Sequence, residues 1–159
     1  MSGPATKSER PVPVVTAANA PFFASAAQGR LSLQRCGACR AWIFYPRYAC
    51  PHCISADVRW ETASGRGRIE SFTMVHRPQH EYFFPDAPIA LIAVRLEEGP
   101  ILFSRLVESG SAQPKIGEDV EATFDEFQPG YALVHFRRPG SDLQEEKETQ
   151  LNPGRIPPP

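Results

Sequence analysis

The chain contains four cysteines, and they fall in two pairs: Cys36-Gly-Ala-Cys39 and, after a gap of ten residues, Cys50-Pro-His-Cys53. A Cys-x-x-Cys knuckle wraps a short loop around a metal so that backbone amides point at the sulfurs. Four thiolates then complete a tetrahedral shell suited to Zn²⁺. Gly37 is expected to let the first knuckle turn, and Pro51 presets the second. The short separation is that of a zinc ribbon. Four cysteines leave no position open for water or substrate, so the expected role of the metal is structural. Iron in an all-sulfur site is the chemical alternative. Two disulfides would need an oxidising compartment, and a thioredoxin-like redox pair would use only one of the two motifs. His52 lies inside the second knuckle and reads as a spectator.

No other constellation points to catalysis. Ser, His and Asp residues occur without a Gly-x-Ser-x-Gly elbow, and there is no Walker loop and no Gly-x-Gly-x-x-Gly. Ser64-Gly65-Arg66-Gly67-Arg68 lies between strand-like runs and reads as a turn or bulge. His76 and His80 flank Pro78 in a loop, and His135 is expected to be half-buried in a strand. Tyr82, Phe83 and Phe84 stand consecutively in what reads as a loop, and two accounts of them stay open. Either they form an exposed contact surface, or they fold back to close one end of a barrel.

Hydrophobic residues make up 42% of the chain and charged residues 22%, as in an ordinary soluble domain or two small ones. No apolar run approaches the ~20 residues that span a bilayer. The N-terminal residues carry no apolar stretch behind their charges, so a cytoplasmic protein is expected. A net charge of −1 and a pI of about 6.4 argue against a strongly nucleic-acid-binding domain. That near-neutrality hides a basic stretch from Gly29 to Arg68 at +5 and an acidic one from Glu81 to Glu148 at −8. The simplest reading is solubility. The sharper one is that the basic part faces an anion or an acidic partner.

With 17 Pro and 11 Gly, the sequence favours short strands and turns over long helices. Residues 1–18 read as a flexible arm and 139–159 as a flexible tail. One short helix is expected, with Asn19 as cap, Pro21 in the first turn and Gly29 at its end. Six strand-like runs follow Leu31–Cys36: 58–62, 68–75, 89–96, 101–107, 120–125 and 131–136. At this spacing, without intervening helices, they suggest a small antiparallel barrel.

Leu31-Ser-Leu-Gln-Arg-Cys-Gly-Ala-Cys, then Phe44-Tyr-Pro-Arg and Cys50-Pro-His-Cys, resembles the zinc-ribbon OB-fold proteins associated with acyl-CoA metabolism. These were long catalogued as a domain of unknown function. The Phe22-Phe23 helix, the Gly65-Arg-Gly strand and Pro88-Ile-Ala-Leu-Ile-Ala-Val-Arg-Leu-Glu-Glu-Gly extend the likeness over about 20–138. The resemblance implies a mainly β chain. A short N-terminal helix plus a rubredoxin-like zinc ribbon would cover 19–57, and a five-stranded OB-fold barrel 58–138. It further implies a non-catalytic accessory subunit beside a thiolase-like, lipid-transfer-protein-like or hydratase partner. Such a heteromer, expected as a heterotetramer, would act on a coenzyme A thioester, with the catalytic groups on the partner. The Tyr82-Phe83-Phe84 segment is richer in rings than the family pattern. An aromatic acyl group, as in the thiolase step of anaerobic toluene breakdown and the small subunit of benzoylsuccinyl-CoA thiolase, would suit it.

The expected site residues are therefore Cys36, Cys39, Cys50 and Cys53 for the metal. Tyr82, Phe83, Phe84, Arg35, Arg40 and Arg47 are candidates for contact with acyl-CoA or a partner. The competing function is a nucleic-acid-binding OB-fold and ribbon module, against which the acidic barrel half weighs. A stand-alone hydrolase would need a nucleophile with a neighbouring base, and none is apparent.

Overall fold

A computed structural model of the chain describes residues 9–107 and 113–140. Of the expected arm and tail, residues 1–8 and 141–159 lie outside the described residues. Helix α1, Ala20–Ala27, begins with Asn19 at the cap position and Pro21 in the first turn. The Asn19 carbonyl accepts from the Phe22 and Phe23 amides of the first turn, but its side chain makes no bond to the helix. Its Oδ1 accepts from the Thr16 amide at 2.7 Å and its Nδ2 donates to the Val14 carbonyl at 3.1 Å, so it shapes the chain that precedes it. Gly29 follows the helix at φ 72°, a conformation that a side chain would strain.

Strands β1 (Ser32–Cys36), β2 (Trp42–Ile43) and β3 (Val58–Thr62) form an antiparallel sheet in the order β2-β1-β3. The two-residue β2 has no periodicity of its own. It exists because the first knuckle reverses the chain, with the Cys36 amide donating to the Ala41 carbonyl at 2.9 Å. The run 58–62, one of the six candidate barrel strands, pairs along its whole length with β1, from Ser32↔Thr62 to Cys36↔Val58. It is therefore part of the ribbon sheet, and five strands remain for the barrel.

Those five are β4 (Arg66–Val75), β5 (Ile89–Leu96), β6 (Ile101–Arg105), β7 (Asp119–Gln128) and β8 (Tyr131–Arg137), in the order β6-β5-β4-β7-β8. A parallel bridge between Leu106 and Phe136 joins the two edges, and the Val107 amide donates to the Phe136 carbonyl at 2.8 Å. The sheet thus closes on itself with OB-fold connectivity. Gly67 opposes Leu96 on one side and Val120 on the other. A Cβ there would lie 2.5 Å from the Arg95 carbonyl oxygen, so the close approach of strands excludes any side chain. A register shift between Ile69 and Ser71 makes Glu70 a bulge. The bulge turns Phe72 to the same inner side as Ile69, and both pack in the core.

The barrel core gathers Ile69, Ile92, Val94, Leu96, Leu102, Val120, Ala132 and Phe136, joined by Leu31 and Leu33 from the ribbon side and Ala26 from α1. The alternation of β8, with Ala132, Val134 and Phe136 inward, is the period-2 signature of a half-buried strand. Among the described residues no helix is long and apolar enough to cross a membrane.

Candidate functional site

The four cysteines converge. Cys36 and Cys50 are buried, Cys39 and Cys53 exposed, and all four sulfurs lie within 4.8 Å of one another. Cys36 Sγ is 3.6 Å from Cys53 Sγ, and Cys39 Sγ is 3.6 Å from Cys50 Sγ. A tetrahedron with Zn–S bonds of ~2.3 Å has edges of about 3.8 Å, so the donor set matches zinc in number, chemistry and spacing. The Cys39 amide donates to Cys36 Sγ and the His52 amide to Cys50 Sγ, each at 3.4 Å. His52 takes part through its backbone, while its exposed ring stands outside the sulfur cluster.

The two knuckles repeat one geometry. The amide four residues after the leading cysteine bonds back to that cysteine's carbonyl, Arg40 to Cys36 at 3.0 Å and Ile54 to Cys50 at 2.9 Å. The donor residue is left-handed in both, Arg40 at φ 64° and Ile54 at φ 63°. The positive φ therefore falls on Arg40 and not on Gly37, as the sequence had suggested. At Gly37 a Cβ would meet the carboxylate of Asp57, an exposed side chain that would have to swing aside.

Amide donation from Cys39 lowers the Cys36 thiol to about 6. The Ala41 amide favours the Cys39 thiolate too. Burial and the neighbouring sulfurs outweigh it, pushing that thiol up to about 12. The Cys36 thiolate forms readily, whereas ionising Cys39 beside it is favoured by a cation among the sulfurs.

The arginines of the basic stretch divide. Arg35 is half-buried and engaged on three sides. It pairs with Glu61 at 3.0 Å, lies over the Trp42 ring at 4.9 Å, and donates from Nε to the Arg40 carbonyl at 3.2 Å. Arg40 and Arg47 are exposed. The Arg47 amide is held at 2.7 Å by Oε1 of Gln34, a buried polar side chain that the sequence reading passed over.

Tyr82, Phe83 and Phe84 form a 3-10 helix, Glu81–Asp86, whose first turn is capped by His80 Nδ1 accepting from the Tyr82 amide at 3.2 Å. An extended loop would send neighbouring rings to opposite sides. At about three residues per turn, successive side chains point in three directions. Tyr82 and Phe83 meet edge-on, with centroids 5.1 Å apart. Phe84 is 54% exposed.

Tyr82 and Phe83 border an open groove of about 2110 Å³ that touches all five barrel strands and is shared with Phe22, Phe23, Phe44 and Tyr45. Ring contacts link Tyr45, Phe44, Phe22, Phe23 and Phe127 in series, with centroids 4.2 to 5.7 Å apart. The described part of the N-terminal arm also borders this groove. Arg10 pairs with Asp125 of β7 at 2.6 Å. No local pattern signals this pair, because its members are 115 residues apart.

In the same groove Ser104, His135 and Asp125 come together, yet they do not form a nucleophilic triad. The Ser104 hydroxyl donates to the Val134 carbonyl at 2.6 Å, which commits its proton, while His135 Nδ1 is 3.3 Å away. His135 Nε2 is 3.8 Å from Asp125 Oδ2, beyond hydrogen-bond length, and Asp125 already holds Arg10. Burial, only partly opposed by Asp125, lowers the His135 pKa to about 4. His76 and His80 are both exposed.

Comparison with known proteins follows the same division. Residues 23–59 match the family model described as ChsH2, rubredoxin-like zinc ribbon domain. Residues 60–125 match the one described as ChsH2, C-terminal OB-fold domain. A solved chain described as Ltp2-ChsH2(DUF35) aldolase superposes with a TM-score of 0.71 at 35% identity, covering 80% of this chain and 98% of that one. A "Probable enoyl-CoA hydratase alpha subunit" of Thermomonospora curvata is 37% identical over 133 residues, 82% of this chain. The match spans only 40% of that relative's length. A "DUF35 domain-containing scaffold protein" of Methanothermobacter thermautotrophicus is 34% identical over 95 residues, 59% of this chain and 71% of the relative. Cysteine knuckles on a three-stranded sheet, leading into a closed five-stranded barrel, thus agree with the sequence comparisons: the chain belongs to the ChsH2/DUF35 family of zinc-ribbon OB-fold proteins.

Proposed function

We propose that the chain is a non-catalytic accessory subunit of a heteromeric acyl-CoA enzyme, of thiolase or aldolase type, with one structural zinc held by Cys36, Cys39, Cys50 and Cys53. The observation that carries this reading is the likeness, over nearly the whole of that chain, to the Ltp2-ChsH2(DUF35) aldolase. The chemistry of the chain supports it. The four thiolates saturate a tetrahedral metal, and the Ser104–His135–Asp125 group lacks an activated nucleophile. The catalytic groups then reside on a thiolase-like partner, in a complex whose expected form is a heterotetramer. A groove of about 2110 Å³ exceeds the roughly 300–1,000 Å³ of a self-contained ligand pocket, as suits a trough that a second subunit closes. Exposed Arg40 and Arg47 are the cations we assign to coenzyme A phosphates or an acidic partner surface. Phe84 is the ring we assign to the partner contact.

Co-expression with the thiolase-like or aldolase-like protein of the same host tests the reading. The expected result is a stable complex that turns over acyl-CoA thioesters, while the separated chain does not. Turnover by the purified chain alone, or failure of the two to associate, overturns it.

A further inference from the structure

The groove has a composition that the accessory-subunit reading does not explain. Two groups of rings from separate parts of the chain border it: Phe22, Phe23, Phe44 and Tyr45 from the helix and ribbon, and Tyr82 and Phe83 from the 3-10 helix. Each arginine on its lining already has a carboxylate: Arg10 with Asp125 at 2.6 Å, Arg105 with Asp86 at 2.7 Å and Arg137 with Glu121 at 2.8 Å. His135, also on the lining, is neutral at pH 7 because burial lowers its pKa to about 4. The groove therefore presents π-faces and internally neutralised ion pairs. An anion entering it would compete with the carboxylates already paired to Arg10, Arg105 and Arg137, whereas a flat uncharged group meets rings without disturbing any pair.

We infer that this groove binds the flat, uncharged end of a ligand, an aromatic or conjugated group. The inference deepens the acyl-CoA reading and rests on it for the identity of the whole ligand. It assigns the groove to the acyl end and leaves the phosphates to cations elsewhere.

Two probes that share a ring system and differ in charge test this on the full, zinc-loaded chain. 2-Naphthol is neutral at pH 7, and 2-naphthoate carries a carboxylate. In amide-detected NMR titrations, 2-naphthol is expected to shift residues 44–45, 82–83 and 133–135 most, and to bind at least about 10-fold more tightly than 2-naphthoate. Tyr45→Ala and Phe83→Ala are each expected to weaken 2-naphthol by about 3-fold to 10-fold. Ile116→Ala, at an exposed position off the groove, should change nothing. An unshifted barrel spectrum in each variant shows that its fold is intact. The inference is overturned if 2-naphthoate binds as well as 2-naphthol, if the shifts map away from the groove, if both ring variants bind like the parent chain, or if neither probe binds. Naphthol binding to a chain that forms no acyl-CoA complex would sustain the groove and sink the accessory-subunit reading. A functioning complex whose free subunit ignores both probes would do the reverse.

Discussion

The ribbon and the barrel occupy neighbouring stretches of one chain, yet different forces hold them. Around the knuckles the buried cluster is only Cys36, Ile43 and Cys50, with Val58 packed against it, too little apolar surface to fix them on its own, while Leu33 of β1 packs into the barrel core instead. The barrel has a core of fully buried aliphatic and aromatic side chains, from Ile69 to Phe136, on a closed sheet. On the zinc reading the knuckles depend on a metal, whereas the barrel depends on packing. A small sheet with two tight knuckles needs a staple, whereas a closed barrel hides its own edges and fills its interior with side chains.

The largest test of this contrast removes the metal. Chelation, or Cys36→Ser, is expected to unfold residues 32–62 while the barrel amides keep their dispersion, since structural zinc is worth on the order of 10 kcal/mol of folding free energy. NMR of the treated protein checks it, and barrel amides collapsing together with the ribbon would break the comparison. The mirror experiment is Phe136→Ala in the barrel, where the ring is fully buried. A loss of about 3–5 kcal/mol is expected in denaturant unfolding, with zinc stoichiometry unchanged at one per folded chain.

A third test uses pH. His135 is held neutral, its pKa lowered from 6.5 to about 4 mainly by burial. The unfolded chain therefore binds the extra proton first. His135 leaves stability at its full value above pH about 6.5, and stability is lost as pH falls from there towards 4. The loss is up to about 3 kcal/mol on this side chain's account. Urea midpoints of the parent and His135→Gln chains at pH 7.5 and pH 5 isolate it from acid loss of zinc, because only the difference between the two proteins counts. Equal midpoint shifts in both would show that the histidine charges freely in the fold.

The smallest effect sharpens the ribbon side. Ile54 is left-handed at φ 63° and 84% exposed, an unfavourable place for a β-branched residue. Ile54→Gly should stabilise the ribbon by about 0.5–1 kcal/mol, visible as slower zinc transfer to a chelator. Faster transfer would mean that the isoleucine packs where the geometry shows it exposed.

Sequence spacing alone determined that the four cysteine sulfurs meet. Two Cys-x-x-Cys motifs can fold in few ways that bring four sulfurs together, and chain connectivity enforces most of that geometry locally. It also determined the strands from Ile89 to Arg137, because period-2 burial is written residue by residue in runs such as Ala132, Val134 and Phe136. The helix was legible from Asn19, Pro21 and Gly29, since its termini are local conformational preferences.

What tertiary structure alone decided is where those strands pair and what they enclose. Val58–Thr62 alternates like any barrel strand and joins the ribbon only because β1 offers it a partner. Gly67 looked like a turn residue and is instead the point where three strands crowd together. The Tyr82–Phe84 rings took a 3-10 turn, which no periodicity marks. The groove draws on the arm, α1, the ribbon and all five barrel strands. Its Arg10–Asp125 pair spans almost the whole described chain. Such contacts depend on closing long loops, and neighbouring residues carry no trace of them.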